Sequence, residues 1–545
     1  MKVEKILLET WKRVGFCLRI LLDVVSDITF RLLYFRGRKE LPPVTNDILL
    51  LSASALASKI RKREITSEEL VAACIERIGE VNSLINAVVD KRFEEALEDA
   101  RKCDRIISTL SKLALEEIAV DQPFLGVPFS TKEGIRVMSL HHSYGVPTRR
   151  DIIAVEDATT VRLMRQAGGI PLCVTNVSEV GAWWNTSNYI YGTTCNPYSL
   201  SHNPGGSSGG EAALQACAGI PVSFASDTGG SIRTPAAFCG VFGHKPTPNI
   251  VSTHGADIQD PKYPVMESMQ VLGPICRHAE DLKPILQVLV GDNAHLLQLD
   301  ADVFLTKCKF FYLTSHVGGN AVSPVEPEVR HAIQRVVDYL EDNFGVTVKP
   351  LHIPELKNIL SLYTKEMSRL SPNNSLCSDI VNRDGSVWVS LEILRSMTGF
   401  GRHTAPVLAQ AAMERAGQIT SFAGSIFGFK QFLNNQKLTV LKTRINNILG
   451  DNGILLSPAH PTTPPYRYQS YTKPFNFLYT AMHNALGLPA TVVPLGLSQS
   501  GLPLSIQISA AEYNDHLTIA LAKELERPFG GWTPPFDNGE NLRFY

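Results

Sequence analysis

Nine of the 39 glycines in this 545-residue chain fall between Ser201 and Gly243. Glycine at that density interrupts regular helix and strand, lets the chain turn sharply and leaves backbone N–H groups facing a common point. The stretch HNPGGSSGGEAAL runs directly into a small-residue helix, EAALQACAG, and then into the apolar run IPVSFAS. SDTGGSIRTP then opens a second glycine-flanked turn. Each turn carries a serine: Ser207, beside Ser208, in the first and Ser231 in the second. The same alternation precedes them, with FLGVPFSTKEGI as a short buried strand, EDATTVRLMRQAGG as a helix and IPLCVT as another apolar run. Strands alternating with helices predict an α/β fold: one large domain whose central mixed, mostly parallel sheet is covered by helices on both faces.

A hydrophobic fraction of 44% with 19% charged residues is that of a chain with a full core. The formal net charge of −1 gives no basic field for nucleic acid. Ten cysteines without a CxxC pair make neither a disulfide framework nor a structural zinc site. Scattered thiols suit a reducing, cytosol-facing compartment.

Residues 1–40 are rich in Leu, Ile, Val and Phe, yet between positions 13 and 31 the longest uncharged run is Val14–Leu18. That is short for a signal peptide and too charged for an ordinary span of about 20 residues. On a helix, Lys5, Glu9, Lys12, Arg13, Arg19, Asp23, Asp27 and Arg31 share one arc. Three pairs of opposite charges lie four apart: Lys5–Glu9, Arg19–Asp23 and Asp27–Arg31. Ile6, Leu7, Val14, Leu18, Leu21, Leu22, Val25, Leu32 and Leu33 fill the rest. Three readings stay open: a helix lying among lipid headgroups, a tilted single span, and a helix packed on the protein's own surface. Membrane attachment through residues 1–40 is the expectation, with ELPPVTND (Glu40–Asp47) as the linker into a second unit, 41–545.

The group that would take a proton from either serine narrows the chemistry. A phosphate loop needs GxxxxGK[ST], and GGSSGGEAAL has no lysine in place. A flexible linker would not explain the helix and strand that follow at once. A Ser-His-Asp set drawn from His202, Asp227 and His244 is one option, although no G-x-S-x-G elbow is present. A lysine base is the other. GVPFSTKEGI puts Lys132 straight after an apolar strand, and burial holds an amine neutral enough to accept a serine proton.

Five blocks, in order, carry a family resemblance. GVPFSTKEGI resembles the lysine motif of the amidase signature hydrolases. GTTCNPYSLSHNPGGSSGGEAAL and DTGGSIRTPAAFCGVFGHKPT resemble the two halves of their signature, and GILLSPAHPTTPP and GLPATVVPLG their C-terminal segments. The likeness covers most of residues 60–530. It implies that Ser231 is the nucleophile, that Ser207, preceded by a cis peptide from Gly206, is a relay, and that Lys132 is the terminal base. It further implies an oxyanion hole from the N–H groups of Thr228, Gly229, Gly230 and Ser231. Ser208 would then support the start of the next helix, and Asp227 and Arg233 would brace the nucleophile's turn.

A relay that hands its proton back to the leaving nitrogen favours amides over esters. Together with the N-terminal segment, the resemblance implies a membrane-associated enzyme acting on fatty-acid amides: N-acylethanolamines such as anandamide and primary amides such as oleamide. The alternatives are a glutaminase-type amidotransferase subunit and a non-catalytic lipid-binding scaffold. No metal or organic cofactor is implied. The expected partners are a lipid amide and a membrane surface, without nucleic acid, and a homodimer is left open. Residues 41–545 would be the catalytic domain. Met397, Phe400, Met413, Phe427 and Phe429 are candidates to line an apolar substrate channel. The stripe Ile419, Phe422, Ile426, Phe429 and Leu433 reads as core or as a bilayer-facing cap.

Overall fold

The apolar runs read as strands do form strands. The computed structural model describes residues 2–34, 41–257, 268–314, 317–370, 376–385, 387–426 and 436–536, with backbone alone over 2–13 and 416–426. Among the described residues the strands are, in chain order, β1 (Val88–Lys91), β2 (Pro128–Lys132), β3 (Ile170–Thr175), β4 (Ser187–Asn188), β5 (Gly192–Thr193), β6 (Val222–Asp227), β7 (Phe242–Lys245), β8 (Val271–Cys276), β9 (Lys309–Tyr312), β10 (Val348–Pro350), β11 (Gly453–Ser457), β12 (Ala490–Leu497) and β13 (Pro503–Ala510). β4 and β5 form a small ribbon of their own. The other eleven make one sheet, ordered β1-β3-β2-β6-β8-β7-β12-β13-β11-β9-β10.

The sheet is mixed and mostly antiparallel, which corrects the expectation of a mostly parallel one. Only β2–β3, β2–β6, β9–β10 and β9–β11 pair in parallel. The remaining six pairings are antiparallel. Crossover helices at Thr159–Gln166 and Gly209–Ala216 do return the chain parallel at β3 and β6. At the centre, β12 and β13 are separated by residues 498–502 alone, and so short a link reverses the strand. β2, β3, β6 and β8 are buried at every residue, as strands covered on both faces are. Helices Phe93–Thr109, Leu282–Val290 and Asp515–Phe529 pack against β3, β8 and β12 respectively. One contiguous core runs from Leu41 to Leu525. A satellite cluster of Cys377, Ile380, Val387, Val389, Val407 and Ala411 packs on Val180 and Ala182. No disulfide joins any of the ten cysteines.

Between Arg19 and Asp27 the N-terminal helix, Lys2–Leu33, turns its polar side chains toward the protein. Arg19 pairs with Asp23 and reaches Ser323 Oγ and the Thr472 carbonyl, each at 3.3 Å. Ser26 shares a 2.7 Å hydrogen bond with Thr472, and Lys473 Nζ donates to Asp27 Oδ1 at 2.7 Å, taking the place foreseen for Arg31. Tyr34 stacks on Tyr466 with ring centroids 5.5 Å apart. The apolar arc, including Leu18, Leu21, Leu22, Val25, Leu32 and Leu33, is left exposed. A single span finds no support: among the described residues no helix is long and apolar enough to cross a membrane.

Candidate active site

β2 and β6 lie side by side and run the same way, with Thr131 opposite Phe224. Phe129 and Phe224 stack across the pair at 5.6 Å, which fixes the two strands together. Their carboxyl ends therefore converge, at the edge where open α/β sheets hold their ligands. Lys132 closes β2, while Ser226 and Asp227 close β6. Ser207 comes in from the turn before helix Gly209–Ala216, after a cis Gly206–Ser207 peptide. Gly206 has to be glycine: a Cβ there would sit 2.6 Å from the Asn185 carbonyl oxygen.

At this junction Lys132 Nζ is 2.8 Å from Ser207 Oγ and 2.8 Å from Ser226 Oγ. Lys132 is 1% exposed. Burial lowers its pKa below the ordinary lysine range, and the nearby Asp257, Asp227 and Glu211 act in the opposite sense. An amine whose pKa is lowered by burial and which is held against a serine hydroxyl is the arrangement a general base requires.

The second glycine turn is braced from within. Asp227 Oδ1 accepts from the Gly230 N–H at 2.8 Å, and Oδ2 from the Ile232 N–H at 3.1 Å. Arg233 grips the same carboxylate through Nε at 3.0 Å and Nη2 at 2.9 Å. It also donates to the Thr480 carbonyl, Gln507 and Asn484. Burial works to raise the Asp227 pKa, but Arg233 beside it holds the carboxyl well below the usual range. Thr480 Oγ1 donates to the Gly229 carbonyl at 2.8 Å, and Tyr363 OH donates to that of Thr228 at 3.3 Å. Gly230 has φ +125°, and a Cβ on it would lie 2.0 Å from Thr480 Oγ1. The result is a rigid turn in which Ser231 stays half-buried between fully buried neighbours.

These observations sort the expected residues. Lys132 and Ser207 are brought together. Ser231 stands on the neighbouring turn, and among the described residues no hydrogen bond links it to Ser207. Of the four expected oxyanion donors, the Gly230 N–H donates to Asp227, and among the described residues no acceptor takes the N–H of Thr228, Gly229 or Ser231. The histidines face other partners: His244 bonds Thr491 and Asp515, and His202 bonds Ser199 and Ser201. Asp227 is committed to Arg233, so the Ser-His-Asp option has no geometry here. Ser208 Oγ is buried and has no partner among the described residues; Thr186 Oγ1 instead accepts from the Gly209 N–H at 2.8 Å.

Of the channel candidates, the described side chains lie exposed. Met397 and Phe400 are 80% and 78% exposed and Met413 is 64% exposed; Met397 ends the helix Val389–Met397, Phe400 lies just after it, and Met413 lies on the helix Ala405–Ile426. Phe427 and Phe429 lie outside the described residues, as do the side chains of the Ile419–Leu433 stripe. Three site residues escaped the sequence reading: Ser226, Tyr144, whose ring lies 5.4 Å from Lys132 Nζ, and Asp257, which accepts from Ser226. The available signal was the polar ending of an otherwise apolar strand, at Ser226.

Comparison with known proteins bears on this geometry. The Amidase family model matches residues 69–519. The chain belongs to the Amidase family. It is 41% identical to fatty-acid amide hydrolase 2-A of Danio rerio over 508 residues, 92% of each chain. It is 38% identical to fatty-acid amide hydrolase 2 of Homo sapiens over 506 residues, 90% of this chain and 92% of that one. A solved fatty acid amide hydrolase superposes with a TM-score of 0.67 at 19% identity, covering 91% of this amidase and 87% of that chain, and so shares its fold.

Proposed function

We propose that this amidase is a membrane-attached serine hydrolase that cleaves fatty-acid amides, N-acylethanolamines and primary amides such as oleamide, to free acid and amine or ammonia. The observation that carries the reading is the buried 2.8 Å bond from Lys132 Nζ to Ser207 Oγ, next to the turn that presents Ser231. Ser231 Oγ attacks the amide carbon and passes its proton to Ser207, whose own proton goes to Lys132. The N–H groups of Thr228, Gly229 and Ser231 receive the oxyanion. The proton then returns through Ser207 to the nitrogen, the C–N bond breaks, and water releases the acid from Ser231.

The lipid substrate follows from the names of relatives 38–41% identical over most of the chain. The apolar surface agrees with it. Residues 1–40 are the anchor, lying on the bilayer by the outward arc of the helix, and 41–545 the catalytic domain. Exposed Trp388, Leu394, Met397 and Phe400 add a second apolar patch. A fluorophosphonate probe should label the wild type and fail to label Ser231→Ala, and oleamide should be hydrolysed in preference to glutamine. Labelling that survives Ser231→Ala would sink the serine mechanism, and a preference for glutamine would favour the glutaminase-type reading.

A further inference from the structure

The relay leaves one acid unused. Lys132 has two hydroxyl partners, and the Tyr144 ring covers it on a third side. Ser226 Oγ passes its own hydrogen on to Asp257 Oδ1 at 3.2 Å. Asp257 is held in turn: Gln270 Nε2 donates to Oδ2, and the Tyr144 phenol meets the carboxylate. The Asp257 N–H donates to the Gly134 carbonyl at 2.5 Å, which ties it to the segment just after Lys132.

Counting hydrogens gives this chain a direction. An ionised carboxylate only accepts, so the Ser226 hydroxyl points its hydrogen at Asp257 and turns a lone pair to Lys132. Lys132 must then donate an N–H to Ser226. A neutral amine has one lone pair, and with an N–H fixed on Ser226 that pair is left for the Ser207 hydroxyl. Without the acid, the Ser226 hydroxyl is free to rotate and donate to the amine, occupying the very site that must receive the proton.

We infer that Asp257 is a positioning residue for the base: through Ser226 it directs the Lys132 lone pair at Ser207, and its charge steadies the ammonium formed when Lys132 takes the proton. The inference rests on the Ser231–Ser207–Lys132 reading above. The other acids near Lys132 are otherwise engaged. Asp227 is neutralised by Arg233. Glu211 accepts from Ser130 at 2.6 Å and Thr175 at 2.7 Å, with burial pushing its pKa up to about 7. Burial raises the Asp257 pKa too, while Lys132, Tyr144, Ser226 and Gln270 draw it back.

The test is the rate of fluorophosphonate labelling of the full chain, followed from neutral to alkaline pH, with melting temperature as the fold control. Removing an anion makes the ammonium less stable, so in Asp257→Asn the rate should reach half its plateau at lower pH, by about one unit or more. The weaker, misdirected base should lower the plateau about tenfold or more. Ser226→Ala should lower the plateau similarly, and Ser226→Thr, which keeps a hydroxyl, should restore it. An Asp257→Asn enzyme that melts normally and keeps both plateau and midpoint overturns the inference. So does one that loses rate with the midpoint unmoved, because that is what structural damage alone would do. Should Asp257→Asn fail to fold, a Ser226→Ala enzyme labelled at the wild-type rate overturns it instead. Labelling that persists in Ser231→Ala overturns the parent reading and the inference together. Labelling lost there, with Asp257→Asn unchanged, overturns the inference alone.

Discussion

At the carboxyl ends of β2 and β6, Lys132, Ser207, Ser226, Asp227 and Arg233 are all buried, while on the N-terminal helix large apolar side chains from Val14 to Leu33 lie in the open. One region has its polar groups inside and the other its apolar groups outside. The buried region is tolerable because its polar atoms are joined: Asp227 has Arg233 and two backbone N–H groups, and Lys132 has two hydroxyls. The helix has no such internal answer, since its charged arc already uses Ser323, Thr472 and Lys473. Its outward face leaves large apolar side chains uncovered. The difference teaches that a buried polar cluster and an exposed apolar arc can have opposite relations to stability, the first integral to the fold and the second nearly independent of it.

The largest effect should come from the base. Lys132→Ala should cut amide turnover by about 10²–10⁴-fold, and ester turnover less, because an alcohol leaves without needing the returned proton. In the wild type, turnover should climb with pH as Lys132 loses its proton. Burial lowers the Lys132 pKa, so the climb should come at lower pH than an ordinary lysine would give, and Lys132→Ala should lack it. A Lys132→Ala enzyme with full amide turnover and an unchanged pH profile would show that the buried cluster is structural only.

Next comes the brace. Arg233 and Asp227 are both fully buried, so Arg233→Met would leave a carboxylate in the core without its paired cation. The expected cost is about 3–5 kcal/mol in chemical denaturation, with labelling of Ser231 lost as the turn loosens. A loss below about 1 kcal/mol would mean that Asn484 and the backbone N–H groups hold Asp227 unaided.

How much of this the sequence carried differs between the two regions. Lys132, Ser207 and Ser231 were singled out because the lysine strand and the two glycine turns resemble the amidase signature blocks; the local pattern alone left Ser208 and a histidine base open. Ser226 and Asp257 were not singled out. A serine ending an apolar strand looks like any small buried residue, and Asp257 sits in a loop whose pairing with Ser226 exists only once β6 and that loop are folded together. Strand direction escaped for a related reason: an apolar run announces a strand, not which neighbour it will meet. For the helix, periodicity sorted Arg19, Asp23 and Asp27 from Leu21, Leu22 and Leu32, but only the folded body, through Thr472 and Lys473, decides which arc turns inward. Met397 and Phe400 lie exposed for a related reason, since an apolar residue type does not say what covers the side chain.

The smallest expected stability change belongs to the outward arc, and it isolates the comparison most cleanly. Leu21→Glu combined with Leu32→Glu places charges on side chains that are 58% and 71% exposed. Surface changes of this kind alter folding stability by only about 0.5 kcal/mol, so denaturation and turnover of a short, soluble amide should match the wild type. Sedimentation with phospholipid vesicles should fall sharply, because two carboxylates would have to enter the interface along with the leucines. The pair of readouts matters more than either alone. Unchanged stability with lost vesicle binding separates the oily exterior from the polar interior as two independent devices. A marked loss of stability would instead mean that this arc is covered by protein in solution, and unchanged vesicle binding would move membrane attachment to the patch around Trp388 and Phe400.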